Sequence, residues 1–458
     1  MQTTETGVLL LHFQKTFGYT DNKKRLLYKC IPFKKQEPIL VAYEIKLGFS
    51  KHIKNRFIVF NKKPADRYGT IEEDIGDVDD VIAYSEYQYI SRKLRFSLRF
   101  YSQSMKTGLP LFDRPVENRF FENTFTIDGA STTDYDDAFS ISVAEDGSCR
   151  LSIYIINVAW YVEQWNLWET MKTTVFSNIY LPHKKVSIFP PAFIEKHLSL
   201  KRGTERYTLC IDIHFDKDKR IVGTPRFSEA LVHVKHNMVY ESNELLHHAP
   251  FQQLAAFTPA TNGGSHEIVA HWMEFYSQAT ATLKQSFVYL HHYKRPSTQE
   301  PAFLQKWKQS FPKGYYLYNE HERNDYIHCT SPIRRIVDIY NQSIMLSYSW
   351  SSLDLNLLNE KCKQIRKLQM ETTLMNTCFQ NTEIMNRHYS GVVFDVSKTL
   401  VSECKDQKHT YMVFVPELNL ISQWKSTTEL EIFSQHTFQL FLFQDEYQIN
   451  KKIKIIMV

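Results

Sequence analysis

Short hydrophobic runs that alternate with polar positions occupy the first quarter of the chain. Residues 8–11, 39–43 and 56–60 are three such runs, separated by polar or proline-containing breaks. Alternation with a period of two is typical of strands, and several short strands in succession are typical of a small β-barrel. The pattern therefore predicts an all-β unit over residues 1–115.

Residues 116–385 mix strand and helix patterns without an internal repeat, and residues 386–458 return to strands. The pattern predicts a long packing helix over about 355–379. Its apolar positions recur at helical spacing, at 358, 362, 365, 368, 375 and 379. A second helical stripe is predicted at Ile268, Trp272, Phe275, Ala279, Leu283, Phe287 and Leu290. Together these patterns predict an α+β protein of three units.

The most concentrated chemistry lies in residues 126–138, where four aspartates fall within ten positions. They are Asp128, Asp134, Asp136 and Asp137. The run follows a predicted strand end at 125–127 and precedes an alternating strand at 139–143. An Asp-Gly turn and a return strand at 151–155 complete a hairpin. The pattern thus places the carboxylates in a loop held by rigid strands.

Four neighbouring carboxylates repel each other unless cations or hydrogen-bond donors lie among them. Oxygen ligands favour Mg²⁺ or Mn²⁺ over zinc, which prefers nitrogen and sulfur. A solvated acidic loop is the competing interpretation. A second acidic run, residues 72–80, lacks the strand context, and we interpret it as surface.

A second candidate element is the run 326–338. Serine followed by proline predicts a helix start, with a buried stripe at Ile333, Ile336, Val337, Tyr340 and Ile344. Arg334 would then lie in the first turn and share an outer face with Asp338. Because an arginine there opposes the helix dipole, a bound phosphate would explain it. The alternative is an arginine pair on a solvated face.

Composition narrows the class of protein further. The net charge is +5 and the aromatic fraction is 14%, which permits nucleic-acid binding and base stacking. Seven scattered cysteines without a C-x-x-C pair, no membrane-length apolar run and no signal-peptide pattern predict an intracellular protein with no membrane association. A basic cluster in the first unit is either a solvated face or a nucleic-acid footprint: Lys51, Lys54, Arg56, Lys62 and Lys63.

The aspartate run, with its Ala-Ser-Thr and Asp-Asp-Ala neighbours, resembles the catalytic loop of the ribonuclease II (RNB) family of 3′-to-5′ exoribonucleases. The Thr-Ser-Pro-Ile-Arg-Arg element at 330–335 matches that family residue by residue. Further landmarks follow in family order at 178–182, 188–191 and 198–200. Weaker similarities to cold-shock-like and OB-fold barrels, closer to eukaryotic-type members, lie at 42–45, 49–51, 55–60, 391–396 and 411–416.

The resemblance implies a central RNB catalytic domain (116–385) between one cold-shock-like OB domain (1–115) and a C-terminal OB-fold domain (386–458), without an N-terminal endonuclease domain. It implies metal-dependent hydrolysis of single-stranded RNA from the 3′ end to nucleoside 5′-monophosphates. Two Mg²⁺ ions, with Mn²⁺ as a substitute, would bind the four aspartates. The residue roles implied are Asp136 and Arg334 as catalytic groups, Asp128, Asp134, Asp136 and Asp137 as metal ligands, and Tyr180, Glu274 and Arg335 as RNA contacts.

Several positions depart from the family pattern, and they keep other functions open. Tyr154, Asn157, Ile336, Asn341 and Gln342 replace the usual residues. A catalytically inactive RNB-like protein that binds RNA or regulates is therefore the alternative, and a metal-dependent esterase of incidental similarity ranks last. We expect a monomer whose partner is single-stranded RNA, and membership of an RNA-degradation complex is open.

Overall fold

The computed structural model describes residues 3–12, 14–33, 37–45, 53–63, 66–104, 115–259, 264–283, 286–292, 314–318, 326–399, 408–445 and 451–458. Lys51 and the family-like run 49–51 lie outside these ranges. No helix within the described ranges is both long enough and apolar enough to cross a bilayer.

The N-terminal unit contains a closed five-stranded barrel, as the alternating pattern predicts, but the prediction of an all-β unit up to residue 115 was wrong, because the helices Val81–Ser91 and Arg99–Ser104 follow the last barrel strand. Its strands run in the order β1-β2-β3-β5-β4, with β3 and β5 parallel and the other pairs antiparallel. The strands are β1 (Thr3–Leu9), β2 (Leu26–Pro32), β3 (Ile39–Tyr43), β4 (Arg56–Lys62) and β5 (Gly69–Asp77). Leu9, Val41, Ile58 and Phe60 fill its interior. This strand order is that of an OB fold.

The acidic run 72–80 lies along β5 and just beyond it, beside the basic strand β4. Arg56 contacts Asp74 at 2.7 Å and Asp77 at 2.6 Å, and Lys54 lies 3.4 Å from Asp79. These partly exposed pairs support the surface interpretation of the run. They also neutralise part of the basic cluster, which weakens the case for a nucleic-acid footprint there.

The central unit is built on a six-stranded sheet in the order β12-β9-β8-β7-β13-β6. Its strands are β6 (Glu117–Asn118), β7 (Thr124–Asp128), β8 (Asp137–Val143), β9 (Cys149–Ile156), β12 (Glu205–Phe215) and β13 (Ile221–Val239), and a separate hairpin joins β10 (Ile179–Leu181) to β11 (Lys184–Val186). The first part of β13 pairs with β12 and its last part pairs with β7. One long strand therefore links the two edges of the sheet.

Helices cover both faces of this sheet, because its strands are apolar on both sides. Tyr154 and Ile156 point into one core, whereas Ile153 and Ile155 point into the other. The helices of the chain are Val81–Ser91, Arg99–Ser104, Val158–Gln164, Trp168–Thr174, Pro191–Phe193 with a following π turn Ile194–Leu198, Asn243–Leu246, Ala249–Phe257, Ser265–Ala281, Ile336–Met345 and Leu355–Gln380, with 3₁₀ turns at Thr382–Asn386 and Pro416–Leu418.

The second helical stripe extends less far than its spacing predicts. The helix Ser265–Ala281 ends before Leu283, which is exposed. Phe287 and Leu290 instead lie just before and within β14 (Val288–His292), which pairs with β15 (Gly314–Tyr318). Both side chains are buried. Phe287 and Leu290 are therefore buried beside and within a strand. The spacing of apolar residues alone could not distinguish this strand from a continuation of the helix.

The C-terminal unit is a five-stranded antiparallel sheet in the order β18-β17-β16-β19-β20. Its strands are β16 (His388–Thr399), β17 (Lys408–Val415), β18 (Leu420–Ser426), β19 (Gln435–Phe443) and β20 (Lys452–Met457). The order matches that of the N-terminal barrel, and β18 and β20 lie against each other where that barrel closes. The prediction of a terminal β-barrel of OB type is confirmed.

The predicted long helix is present as Leu355–Gln380, and it contacts all three units. Leu358 packs into the central core and Met375 packs beside Tyr87 and Phe57 of the N-terminal unit. Cys378 packs into the core of the C-terminal sheet. The helix thus fixes the two outer units against the central one.

Candidate active site

The central sheet places the first and last of the four aspartates on neighbouring strands. Asp128 is the last residue of β7 and Asp137 the first residue of β8. The loop between them is held by Ser199, whose Oγ accepts from the Tyr135 N–H at 3.1 Å and donates to the Thr133 carbonyl at 2.9 Å. The sequence therefore forms a preorganised acidic loop, as its strand context predicts.

Asp136 is the most tightly held carboxylate of the four. Its residue is 6% exposed, and Oδ1 accepts from the Ile333 N–H at 2.8 Å. Arg334 Nε lies 3.8 Å from its Oδ2. Burial raises the pKa of Asp136 to about 7, although Arg334 and the Ile333 N–H both lower it. The structure thus joins the two runs that the sequence singled out, 126–138 and 326–338.

Asp128 and Asp137 each have a buried Oδ2 without a hydrogen-bond partner in the described structure. Burial raises the pKa of Asp128 to about 7. Burial, followed by repulsion from Asp128 and Asp136, raises the pKa of Asp137 well above its usual range. Two buried carboxylates that repel each other and each have an unpartnered oxygen favour a hard cation beside them. No group of three or more His, Cys, Asp or Glu side chains in the described ranges is arranged to hold a metal ion by itself.

Asp134 already has a cationic partner. Its carboxylate pairs with the ammonium group of Lys185 on β11 and also accepts from the Thr133 hydroxyl at 2.7 Å. Sequence reasoning did not single out Lys185, because the pair joins residues 51 positions apart. Asp134 can serve as a metal ligand only if Lys185 moves aside or shares the carboxylate.

The prediction for the segment around Arg334 was wrong in one respect. The helix begins at Ile336, so Arg334 lies in the preceding turn, and Asp338 is buried. Asp338 accepts from the Ser331 N–H at 2.7 Å and from Arg335 Nη2 at 2.9 Å, so its cationic partner is Arg335. The serine-proline pair predicted the first turn of the helix here. Instead, these hydrogen bonds stabilise a non-helical turn before the helix begins.

Arg334 itself stays available, since its side chain is 50% exposed. Nη2 donates to the Ser331 hydroxyl at 3.0 Å, and the backbone carbonyl of Arg334 accepts from the Asn178 N–H at 2.9 Å. The guanidinium is therefore held beside Asp136 while keeping donors for a ligand. The apolar stripe predicted for the helix after Arg334 is mostly buried. Ile333, Ile336, Val337 and Tyr340 are buried, whereas Ile344 is partly buried.

The three predicted RNA contacts lie in different surroundings. Tyr180 is 45% exposed on β10, directly opposite Lys185, so its ring is not a core side chain. Arg335 is engaged by Asp338. Glu274 lies on an exposed helix face and accepts from Gln278 at 3.0 Å, and no contact described for it reaches the aspartates.

One residue near the carboxylates was missed altogether. The Tyr240 N–H donates to the Asp128 carbonyl at 2.9 Å, and its ring stacks on His266 with centroids 3.7 Å apart. Burial, followed by Asp137 and Asp128, raises the pKa of Tyr240. A lone tyrosine after a long strand carries no sequence signal, because only the pairing of β13 with β7 brings it here.

Two departures from the family pattern have structural roles. Asn341 accepts from the Val288 N–H at 2.9 Å and donates to the His328 carbonyl at 2.9 Å. Gln342 accepts from the N–H groups of Val158 and Ala159 at 3.1 and 3.2 Å. Both amides are fully buried. Asn341 and Gln342 hold the helix Ile336–Met345 to its neighbours. These two departures from the family pattern therefore do not by themselves imply weaker contacts with a substrate.

Residues 120–286 match the RNB domain family. The chain is similar to the exoribonuclease 2 of Psychromonas ingrahamii, with 32% identity over 178 residues. That alignment covers 38% of this chain and 26% of the relative. The relative is bacterial, so the predicted closeness to eukaryotic-type members stays a prediction.

Two solved structures share the fold over most of the chain. The ribonuclease R of Mycoplasma genitalium in complex with double-stranded RNA has a TM-score of 0.67 at 15% identity, covering 99% of this chain and 95% of that chain. Yeast Ssd1, described as a pseudonuclease, has a TM-score of 0.60 at 15% identity, covering 92% of this chain and 64% of that one. At these identities the likeness concerns the fold. The predicted fold class, with barrels on both sides of an RNB domain, is confirmed.

Proposed function

We propose that this protein is a metal-dependent 3′-to-5′ exoribonuclease that hydrolyses single-stranded RNA to nucleoside 5′-monophosphates. The proposal includes the arrangement inferred from sequence, with an RNB catalytic unit at 116–385 between OB-type units at 1–115 and 386–458. The observation that carries it is the contact of Asp136, within the stretch 120–286 that matches the RNB domain family, with Arg334 and the Ile333 N–H.

The carboxylates fit divalent cations of the Mg²⁺ type. Asp128 and Asp137 contribute unpartnered buried oxygens, and burial raises the pKa of both carboxyl groups, so a cation beside them would favour their ionised form. Asp136 and, once Lys185 moves aside or shares its carboxylate, Asp134 are the other proposed ligands, and two divalent ions would neutralise the charge of four carboxylates. When bound, such ions would supply Lewis-acid stabilisation of the phosphate and an activated water. Mn²⁺ offers similar coordination and could substitute.

Side chains of the protein would bind the phosphate, hold the turn that carries Arg334 and stack a base. Arg334, half exposed beside Asp136, can donate to the non-bridging oxygens of the scissile phosphate as negative charge develops there. Asp338 and Ser331 hold the turn that presents it. Tyr180 has an exposed ring for stacking a base, whereas Arg335, paired with Asp338, positions the segment. Asp136 is the carboxylate whose loss should stop the reaction.

A time course with 5′-labelled single-stranded RNA tests the proposal. We expect wild-type protein with Mg²⁺ to shorten the RNA from the 3′ end to a short limit product, and EDTA or Asp136→Asn to abolish shortening. Asp218→Asn, which changes an exposed carboxylate, is the matched control and should retain full activity. An Asp136→Asn protein that hydrolyses RNA at the wild-type rate would refute the mechanism.

A second candidate function is an RNA-binding protein without nuclease activity. The observation in its favour is the ion pair between Lys185 and Asp134, which places a lysine where a metal ligand is expected. Under this alternative the wild-type protein would bind the labelled RNA and leave its length unchanged with either Mg²⁺ or Mn²⁺. Lys185→Ala would then be the variant to examine for a gain of cleavage.

A further inference from the structure

Lys185 lies at the acidic site and has no role in the proposed reaction. Its ammonium group pairs with one carboxylate oxygen of Asp134, and the Thr133 hydroxyl donates to the other at 2.7 Å. The Asp134 side chain is 11% exposed and that of Lys185 is 34% exposed, so the pair is only partly open to water. Both oxygens of Asp134 are therefore occupied, whereas Asp128 and Asp137 each have an unpartnered buried oxygen.

The hairpin that carries Lys185 is anchored to two helices. The Tyr180 N–H donates to the side chain of Gln369 on the long helix at 2.9 Å. Lys184 pairs with Glu86, on the helix that follows the N-terminal barrel. Because successive side chains of a strand point to opposite faces, Lys184 is directed to that helix and Lys185 to the aspartate loop. The backbone of the hairpin therefore holds the ammonium group at the acidic site.

Cationic side chains already compensate half of the charge of the four aspartates. Arg334 lies 3.8 Å from Asp136, and Lys185 pairs with Asp134. When all four carboxylates are ionised, these two cations leave two negative charges, which a single divalent ion neutralises. A second divalent ion would bring two positive charges for which no carboxylate charge remains, and it could reach Asp134 only by displacing the ammonium group.

The charge of Asp134 also acts on the neighbouring carboxylates. After burial, the main cause, the negative charge of Asp134 adds to the rise in the pKa of Asp128. An ion bound by Asp128 and Asp137 would therefore lie within the field of Asp134 and of the ammonium group paired with it. The two parts of the acidic site differ in that one has free oxygens for a metal ion and the other is occupied by a lysine.

We propose that Lys185 is a built-in counter-ion that takes the place of one divalent ion, so that the protein without substrate binds a single ion at Asp128 and Asp137. This inference rests on the proposed function, because it takes the aspartates as ligands of divalent ions. Asp134 becomes a ligand only when the concentration of divalent ions is high enough to displace the ammonium group. Lys185 thereby sets the metal concentration at which all four carboxylates bind metal.

Equilibrium dialysis of the full chain against Mn²⁺ at pH 8, without RNA, tests this proposal independently of hydrolysis. We expect wild type to bind one ion, and Lys185→Met to bind a second ion about tenfold or more tightly than wild type does, because the variant keeps the size of the side chain and removes its charge. Lys185→Arg keeps the charge and should bind as wild type. Lys184→Met removes the adjacent charge, which pairs with Glu86, and is the matched control with unchanged binding.

A double-variant cycle assigns the effect to Asp134. Asp134→Asn removes the carboxylate for which the lysine and the metal ion compete, so adding Lys185→Met to it should give a clearly smaller gain in Mn²⁺ binding. A gain of the same size in that background would overturn the proposal, because the lysine would then act elsewhere. Melting temperatures in EDTA verify that each variant is folded before dialysis.

The outcome for the wild type separates this proposal from the proposed function. Equal Mn²⁺ stoichiometry and affinity in wild type and Lys185→Met, or the same gain in Lys184→Met, would overturn the role of Lys185 whether or not the protein hydrolyses RNA. A wild type that binds no Mn²⁺ would count against a metal-dependent reaction. In that case an ion gained by Lys185→Met would still support the competition, and its absence would overturn it.

Discussion

Replacing Asp136 with asparagine should stabilise the folded protein at neutral and higher pH when divalent cations are absent. Asparagine keeps an oxygen that can accept from the Ile333 N–H and removes the buried charge. The pKa of Asp136 is raised from 3.8 to about 7 in the folded chain. The folded state therefore binds this proton more tightly than the unfolded state does, and stability falls as pH rises from about 4 to about 7.

The size of the effect follows from the two pKa values. A tenfold change in proton affinity corresponds to 1.36 kcal/mol. The free energy of unfolding of the wild type therefore falls by up to about 4 kcal/mol across that pH range. The aspartate side chain has the same size as asparagine, so packing contributes little to the difference. In thermal unfolding of a chain of 458 residues, this corresponds to a melting difference of about 4 °C between variant and wild type at pH 8.

The assay is thermal unfolding of wild type, Asp136→Asn and Asp218→Asn in EDTA at several pH values between 5 and 8. We expect the melting temperature of Asp136→Asn to exceed that of wild type increasingly as pH rises, while Asp218→Asn stays parallel to wild type. Mg²⁺ should raise the wild-type value more than that of Asp136→Asn, because it binds the folded carboxylates. A melting difference that is independent of pH would refute the assignment of a buried, proton-binding Asp136.

Three further substitutions test separate parts of the structure. Arg334→Lys should lower kcat on RNA by on the order of 10²-fold with little change in melting temperature, because the guanidinium is half exposed; equal loss of both would indicate a structural role. Asp338→Asn should destabilise the protein by about 3–5 kcal/mol in denaturant unfolding, since it leaves Arg335 without its partner, and Arg335→Met in the same chain should restore part of the loss. Met375→Ala should cost about 2–4 kcal/mol and increase hydrogen exchange in the N-terminal barrel; exchange that rises equally in all units would contradict a local contact.

The aspartate hairpin could be predicted because its signals are local. Alternation along β8 and β9 and the turn at Gly147, which has a φ of 83°, lie within 30 residues and fix the strand ends that hold Asp128 and Asp137. The long helix was predictable for the same reason, since 26 residues share one period.

The parts that were not predictable depend on distant contacts. The helix start was placed too early because the bond from Ser331 to Asp338 favours a turn, and the sequence does not reveal that Asp338 is buried. Tyr240 approaches Asp128 only through the pairing of two strands about 110 residues apart along the chain. Lys185 pairs with Asp134 across 51 residues. Each depends on how the sheet closes, which local periodicity does not encode.

The long helix Leu355–Gln380 makes the three units interdependent when the chain is cut. A fragment ending near residue 385 would keep this helix but leave Cys378 without the C-terminal sheet that covers it. A fragment restricted to the N-terminal barrel would in turn expose Tyr87 and Phe57, which pack beside Met375. Such fragments would present fresh apolar surface and tend to aggregate, so the smallest well-behaved piece of this protein should retain the helix together with both barrels.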